Sequence, residues 1–492
     1  MAEGRSRAEI PLAVHGADID ASAVALTRVR LQQEFGGTAL AWRKSIRCTD
    51  SLRQGAWKGT FEVVVGNPPF LNQLRSATSL SRTQSELIRA RFGGVVSGYA
   101  DLACAFLLLA CELAAPDGRV ALVLPLSVLA TEDALPTRRV VQAKARLEQC
   151  LIPPARIFGA GVGTVVLVLG RRKSGAPCLV TGICGGAPQV PVHVQGALLH
   201  DGGWSSLIAA SRGVPMPPAM TGTHQVLGDM ATATADFRQH YYGLRGRVKE
   251  LGAGAAMPPA ADTVHAAIAT VGSVDAAQLA WGTRSVRLLG KRYQAPAADR
   301  RALAKDSVLA PWVKARLVPK VIVATQTRVI EAWADSEGRV LPSTPLISVM
   351  PKRRGDLWLM TAALLAPPVS ALAWWRHAGG ALSVQALKLS AKQLLALPAP
   401  VDRKAWNKAA KLVRDWHTAP DEPRARRARS AFAHAACLAY GLRTKVKSAA
   451  LLKWWFGAVE SQAPRVLLNS TALPRRKLNA HHRPKVRRNV GR

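Results

Sequence analysis

Short runs of aliphatic and β-branched residues alternate with stretches of helical spacing from about residue 10 to residue 170. Residues 10–14 predict a strand, and 22–34 set Val24, Leu26, Val29 and Leu31 on a helical repeat. Residues 61–65, 120–124 and 164–169 predict further strands, the last an unbroken apolar run with β-branched residues at its start. Residues 102–115 predict a mostly buried helix, ended by the turn Pro116-Asp117-Gly118. Continuous apolar strands separated by helices imply a parallel sheet covered on both faces, a doubly wound α/β domain.

The pattern changes near Arg171-Arg172-Lys173-Ser174-Gly175. Residues 1–175 are read as the catalytic domain and 176–235 as a loop-rich connection with Pro and Gly clusters. Residues 236–400 are read as a second, α+β domain, with a strand at 321–325 and a helix at Leu357–Leu365. A basic helical region follows at 401–472. The last stretch, 473–492, contains eight Lys or Arg and no acid, a composition expected to stay disordered. Trp374-Trp375 and Trp454-Trp455 are read as core residues.

Composition narrows the partner. Lys and Arg total 67 against 31 Asp and Glu, a formal net charge of +36, which points to a polyanion such as nucleic acid. The seven cysteines are dispersed with no C-x-x-C pair, which fits reduced thiols in the cytoplasm and no metal site. The N-terminus lacks an apolar signal core, and the longest apolar runs, 102–111 and 120–130, are too short to span a bilayer.

The chemistry centres on Asn67-Pro68-Pro69-Phe70, which directly follows the strand at 61–65, expected to be buried. Ligands of such sheets bind at the carboxyl ends of strands. The exocyclic amine of adenine is a poor nucleophile because its lone pair is delocalised into the ring. Two acceptors aimed at its N–H groups localise that pair, and the Asn67 side-chain carbonyl and the Pro68 main-chain carbonyl can serve. Prolines fix the backbone and add no competing N–H. Phe70 offers a face on which a flipped base can stack. Upstream, Asp18 is the candidate to accept from both ribose hydroxyls of a nucleoside cofactor, with Ile19 against its adenine ring. Asp20 is the candidate cap of the helix at 22–34. Asp50, followed by Ser51, is the candidate acceptor for the cofactor's adenine amine, with a loop cap as its other reading.

The set Gly16-Ala17-Asp18-Ile19-Asp20, Asp50 and Val65-Gly66-Asn67-Pro68-Pro69-Phe70 resembles motifs II, III and IV of gamma-type N6-adenine DNA methyltransferases of the restriction-modification kind. The resemblance implies the class I S-adenosylmethionine-dependent (Rossmann-like) fold, S-adenosyl-L-methionine as cofactor, and double-stranded DNA as partner. It assigns the ribose to Asp18, the cofactor adenine to Asp50, and the target base to Asn67 through Phe70. It also implies a cognate restriction enzyme. The region to about residue 400 resembles a target-recognition domain. Three features depart from the family. The glycine-rich motif I expected before Asp18 is missing from the numbered chain. That leaves a start placed too late, a truncated gene, or a second chain supplying the strand. The aromatic that follows the motif III acid in some members is Ser51. No aromatic lies within the strand at 164–169, and Phe158 is the nearest.

Basic-aromatic clusters supply candidate DNA contacts: Arg238, Tyr241, Tyr242, Arg284, Lys291 and Arg292, with Phe237, His240, Arg287 and Tyr293 beside them. Arg424 to Arg429 are candidates for backbone contact without sequence preference. Two other readings stand: a methyltransferase acting on rRNA or a protein glutamine, and a catalytically inactive DNA-binding remnant. No nuclease motif is evident.

Overall fold

Thr164–Gly170 is buried along most of its length, and the first sheet is built around it. The computed structural model describes residues 10–52, 61–69, 82–96, 102–153, 163–170, 177–184, 187–188, 191–217, 220, 225–236, 238–380 and 386–461.

The first residues form a helical turn, Ile10–Ala13, and the strand begins one step later, at β1 (Gly16–Asp18). The strand expected at 10–14 is therefore displaced. The three residues Gly16-Ala17-Asp18 carry no apolar run, and become a strand through parallel pairing with β2 (Ile46–Cys48), Gly16 opposite Ile46 and Asp18 opposite Cys48. Between them lie α1 (Ala21–Phe35) and α2 (Ala39–Ser45). Asp20 caps α1, its carboxylate accepting from Ser22 N at 2.8 Å and Ala23 N at 3.2 Å. Gly36 stops the helix at φ +77°, a value glycine reaches without strain. Val24, Trp42 and Ile46 form a small core of their own.

The main sheet runs β3 (Phe61–Gly66), β4 (Ala114–Pro125), β6 (Thr164–Gly170), β5 (Arg146–Ile152), β7 (Cys178–Cys184), with β8 (Val192–Val194) antiparallel on β7. The β3–β4 and β5–β7 pairs are parallel, whereas β6 runs antiparallel to both neighbours. The sheet is thus mixed α/β, not the uniformly parallel one expected. Strand direction is set by the route of the connections, which hydrophobic periodicity does not encode. β7, β8 and a buried helix at Ser205–Ser211 come from the segment expected to be loop-rich. Helices α3 (Arg82–Phe92) and α4 (Leu102–Leu113) follow β3, and α4 is apolar because most of its surface is buried.

Beyond residue 225 the chain forms two four-stranded sheets. One has the order β9 (Ala231–Ala235), β18 (Ile347–Pro351), β15 (Lys320–Ala324), β16 (Glu331–Asp335). The other has the order β10 (Val248–Glu250), β14 (Pro296–Asp299), β11 (His265–Ala269), β17 (Val340–Pro342). A short helix, α5 (Arg238–Gly243), and a separate hairpin, β12 (Val286–Leu288) and β13 (Lys291–Tyr293), lie at the second sheet. Helices α6 (Leu357–Leu365), α7 (Pro367–His377), α8 (Arg403–His417), α9 (Glu422–Ala439) and α10 (Lys445–Glu460) close the molecule. Asp402 and Asp421 cap α8 and α9 by accepting from Ala405 N and Arg424 N. The helices share one core with the main sheet, including the buried Trp374, Trp416 and Trp455. Among the described residues no single helix is long and apolar enough to cross a membrane.

Candidate active site

The three polar residues predicted for the cofactor and the target base stand at or just past the ends of strands. Asp18 is the last residue of β1, Asp50 lies two past the end of β2, and Asn67 directly follows β3. The ring of His15, just before β1, lies 5.4 Å from the ring of Phe61 at the start of β3, so these two strands begin side by side.

Asp18 is exposed. Its Oδ1 accepts from Asp20 N at 2.9 Å, which turns the chain toward α1 and leaves Oδ2 without a partner among the described residues. The Asp18 carbonyl accepts from Thr49 N at 2.9 Å, extending the β1–β2 ladder to the threshold of Asp50. Ile19 stands 73% exposed, an aliphatic surface beside that carboxylate. Asp50 is half-buried, and its Oδ1 accepts from Leu52 N at 2.9 Å. Arg91 of α3 holds this loop, donating to the Ser51 and Leu52 carbonyls at 3.3 and 2.7 Å while lying 3.4 Å from Glu112. Sequence reading missed Arg91, because its partners are 39 and 40 residues away and no local pattern marks them.

Asn67 is exposed, Pro68 is buried and Pro69 is exposed. The buried Pro68 ring anchors the segment and its fixed φ limits the backbone. A side chain at Gly66 would meet Leu122 Cδ2 at 3.2 Å, so glycine lets the strand end lie close against β4. Phe70 and Phe158 lie outside the described residues. The strand itself differs from expectation. Val63 and Val65, which share one face of the strand, are 57% and 71% exposed, so that face is left largely uncovered. β3 also stands at the edge of its sheet, with no ladder on its outer side among the described residues. The second edge of β1 is also without a strand there. Two parallel pairs thus begin side by side with no ladder between them, and no glycine-rich turn stands between them among the described residues.

The residues present fit the nucleoside half of a cofactor. A carboxylate with an unused oxygen, an exposed aliphatic side chain and a second strand-end carboxylate match ribose hydroxyls, an adenine face and an adenine amine. The described residues offer no comparable group for an amino-acid tail.

Beyond residue 225 the candidate DNA contacts separate by environment. Arg284 is committed internally, its guanidinium meeting both Asp275 oxygens at 3.0 and 2.7 Å and the Gly272 carbonyl at 3.0 Å. Tyr241 is half-buried and its hydroxyl accepts from Leu289 N at 2.9 Å. Tyr242 is exposed, edge-on to Tyr241 at 5.3 Å, with the Arg245 guanidinium 6.0 Å from its ring. Arg245 was missed by sequence reading, although its spacing of three from Tyr242 was legible. Arg287, Lys291 and Arg292 are exposed. Arg238 opens α5, while its side chain and Phe237 lie outside the described residues. In α9, Arg424 and Arg426 pair with Asp421 and Glu422, and the buried Arg429 pairs with Glu460.

Residues 13–158 match the model of the Eco57I restriction-modification methylase family. No curated protein matches the chain in sequence. Among solved structures, the chain is similar to the type IIL restriction-modification enzyme MmeI in complex with DNA, at TM-score 0.57 and 12% identity, covering 90% of this chain and 65% of that one. It is also similar to the type IIG restriction endonuclease BpuSI (TM-score 0.37, 12% identity, 90% of this chain and 59% of that one). A third similarity is to the M protein of the type I restriction enzyme EcoKI (TM-score 0.27, 22% identity, 34% of this chain and 35% of that one). The chain therefore spans less than two thirds of MmeI and of BpuSI. The match over 13–158 contains Asp18, Asp50 and Asn67–Phe70, the residues on which the resemblance to restriction-modification methylases rests.

Proposed function

We propose that this chain is a site-specific DNA methyltransferase of a restriction-modification system, acting on the N6 amine of an adenine flipped out of the duplex. The observation that carries the reading is the placement of Asn67-Pro68-Pro69 at the end of β3, with Asp18 and Asp50 at the ends of the parallel β1 and β2. The methylase family match over these residues and the DNA-bound MmeI of similar fold support it.

When bound, S-adenosylmethionine supplies an electrophilic methyl group. The chain's own residues hold and orient. Asp18 accepts from the ribose hydroxyls, Asp50 from the cofactor's adenine amine, and Ile19 covers that ring. The Asn67 carboxamide oxygen and the Pro68 carbonyl accept from the two N–H groups of the target amine. This draws the nitrogen lone pair out of conjugation and toward the methyl donor. Pro68, buried and without an N–H, keeps the two acceptors in place at no cost in reorganisation. The methylated amine is acidic enough to lose its extra proton to water, so no general base is needed. Phe70 stacks on the extruded base.

The partners are double-stranded DNA and a cognate restriction enzyme. The compartment is the cytoplasm. A second reading is a catalytically inactive DNA-binding remnant, because the described residues offer no group for the cofactor's amino-acid tail. Calorimetric titration with S-adenosylhomocysteine separates the two. Binding that weakens in Asp18→Asn supports the enzyme, and absence of binding to the wild-type chain supports the remnant. Label transfer to rRNA or to protein, with none to DNA, would move the substrate elsewhere.

A further inference from the structure

The β12–β13 hairpin carries charges that internal packing does not explain. Its strands are joined by Leu289 and Gly290 at φ +52° and +86°. Two successive positive φ values define the two-residue turn whose twist matches that of the strands, so the hairpin is short and stiff. Leu289 accepts the strain of that conformation while packing against the domain core, and its N–H is held by the Tyr241 hydroxyl. Val286 and Leu288 bury the inner face at 5% and 1% exposure.

On the outer face Arg287 lies directly opposite Arg292, both exposed, while Lys291, paired with Leu288, begins the return strand and is exposed as well. Like charges directly opposite on a ladder are destabilising. None of the three has a carboxylate partner among the described residues. Neighbouring cations do find one: Arg247 with Asp306 and Arg284 with Asp275 at 2.7 Å, Arg316 with Asp236 at 2.8 Å. Acid partners thus stand nearby, and among the described residues none is set against the hairpin. Tyr241 also sets the end of α5 beside the hairpin tip, bringing the exposed Tyr242 and Arg245 to the same surface.

We propose that the β12–β13 hairpin enters the major groove of DNA, where Arg287 and Arg292 read guanine while Lys291 and Arg245 hold flanking phosphates. The proposal rests on the DNA-methyltransferase reading and deepens it by naming the specificity-determining side chains. A two-stranded ribbon fits the major groove, which is about 12 Å wide, and arginine is the residue that donates bidentately to guanine O6 and N7. A core-anchored ribbon loses little conformational freedom on insertion, and the repulsion between the two arginines is relieved by a polyanion.

The test is selection of bound duplexes from a randomised library by the purified full-length chain, followed by affinity measurements on the enriched and an unrelated duplex. The wild type is expected to enrich a motif containing guanines. Arg287→Ala and Arg292→Ala should each erase the guanine preference at one position and weaken binding to the enriched duplex about 5- to 150-fold. Binding to the unrelated duplex should stay within about threefold. Arg287→Lys and Arg292→Lys keep the charge but lack the planar fork, and should lose the preference in the same way. Lys291→Ala should weaken all duplexes alike and make the salt dependence shallower by about one phosphate contact. An unchanged motif in both arginine variants, or a uniform loss like that of Lys291→Ala, overturns the proposal, as does a wild-type chain that binds DNA without enriching a motif. A wild-type chain that binds no duplex overturns the DNA reading as a whole, and is seen before any variant is made.

Discussion

Asp335→Ala removes a buried carboxylate that accepts four hydrogen bonds. Its Oδ2 accepts from Lys320 Nζ at 2.6 Å and from Val340 N at 3.0 Å, and its Oδ1 from Gly338 N and Arg339 N, each at 3.0 Å. The two side chains face each other across the β15–β16 ladder and are essentially unexposed, at 0% and 1%. Truncation leaves the Lys320 ammonium with the Val318 carbonyl at 3.3 Å and leaves three backbone donors without their acceptor. Breaking a buried pair by removing one partner costs about 3–5 kcal/mol. A ceiling on the charge part follows from titration: Lys320, whose pKa burial already lowers, can give up its proton, which at pH 7 costs roughly 5 kcal/mol relative to an exposed lysine. Lys320→Met keeps Asp335 and its three N–H donors, and should cost only about 1–3 kcal/mol. Native-state hydrogen exchange reads this locally. Amides of β15 and β16 should lose protection by about a hundredfold or more in Asp335→Ala and by clearly less in Lys320→Met. The defect should shrink as pH rises toward 10. The folded variant prefers neutral Lys320, the unfolded chain binds the extra proton, and stability then increases with pH. Protection within about threefold of wild type in Asp335→Ala, or an equal loss in both variants, would refute the reasoning.

Asp18→Asn retains the acceptor for Asp20 N and loses the charge facing the ribose, so affinity for S-adenosylhomocysteine should fall about 10- to 150-fold. Asp20→Asn, which still caps α1, should leave that affinity unchanged, and equal effects in the calorimeter would defeat the assignment. His377 and His417 are pushed down to about 4 by burial, His377 also by Arg376 beside it. The folded chain therefore holds both imidazoles neutral. Each contributes at most roughly 3 kcal/mol at pH 7 that is lost as pH falls from about 6.5 through 4. Urea midpoints that stay flat over that window would show that neither group is held neutral.

Local chemistry made part of the molecule legible. The β-branched run at 164–169, the buried helix at 102–115 and the helix at 22–34 carry their signal in their own residues. So does the strand end at Asn67, where the run at 61–65 meets Gly66 and two prolines. Features decided by distant partners were not legible. Gly16–Asp18 is a strand only because Ile46–Cys48 pairs with it. The apolar stretch at 61–65 suggests burial on both faces, yet the face that carries Val63 and Val65 is left exposed. β6 lies antiparallel between β4 and β5, a matter of chain route. Arg284 looks like any exposed arginine in a basic cluster until Asp275 is found in reach of both its donors. Tyr241 likewise turns out to brace Leu289, 48 residues away.

On the proposed function, Asn67-Pro68-Pro69 at the end of β3 holds the adenine amine that receives the methyl group. The most direct test incubates the chain with labelled S-adenosylmethionine and unmethylated duplex DNA, then digests the DNA to nucleosides. Label is expected in N6-methyladenine with the wild-type chain and not with Asn67→Ala, whose fold and DNA affinity should be retained. Turnover of Asn67→Ala close to wild type, or label in another nucleoside, would contradict it.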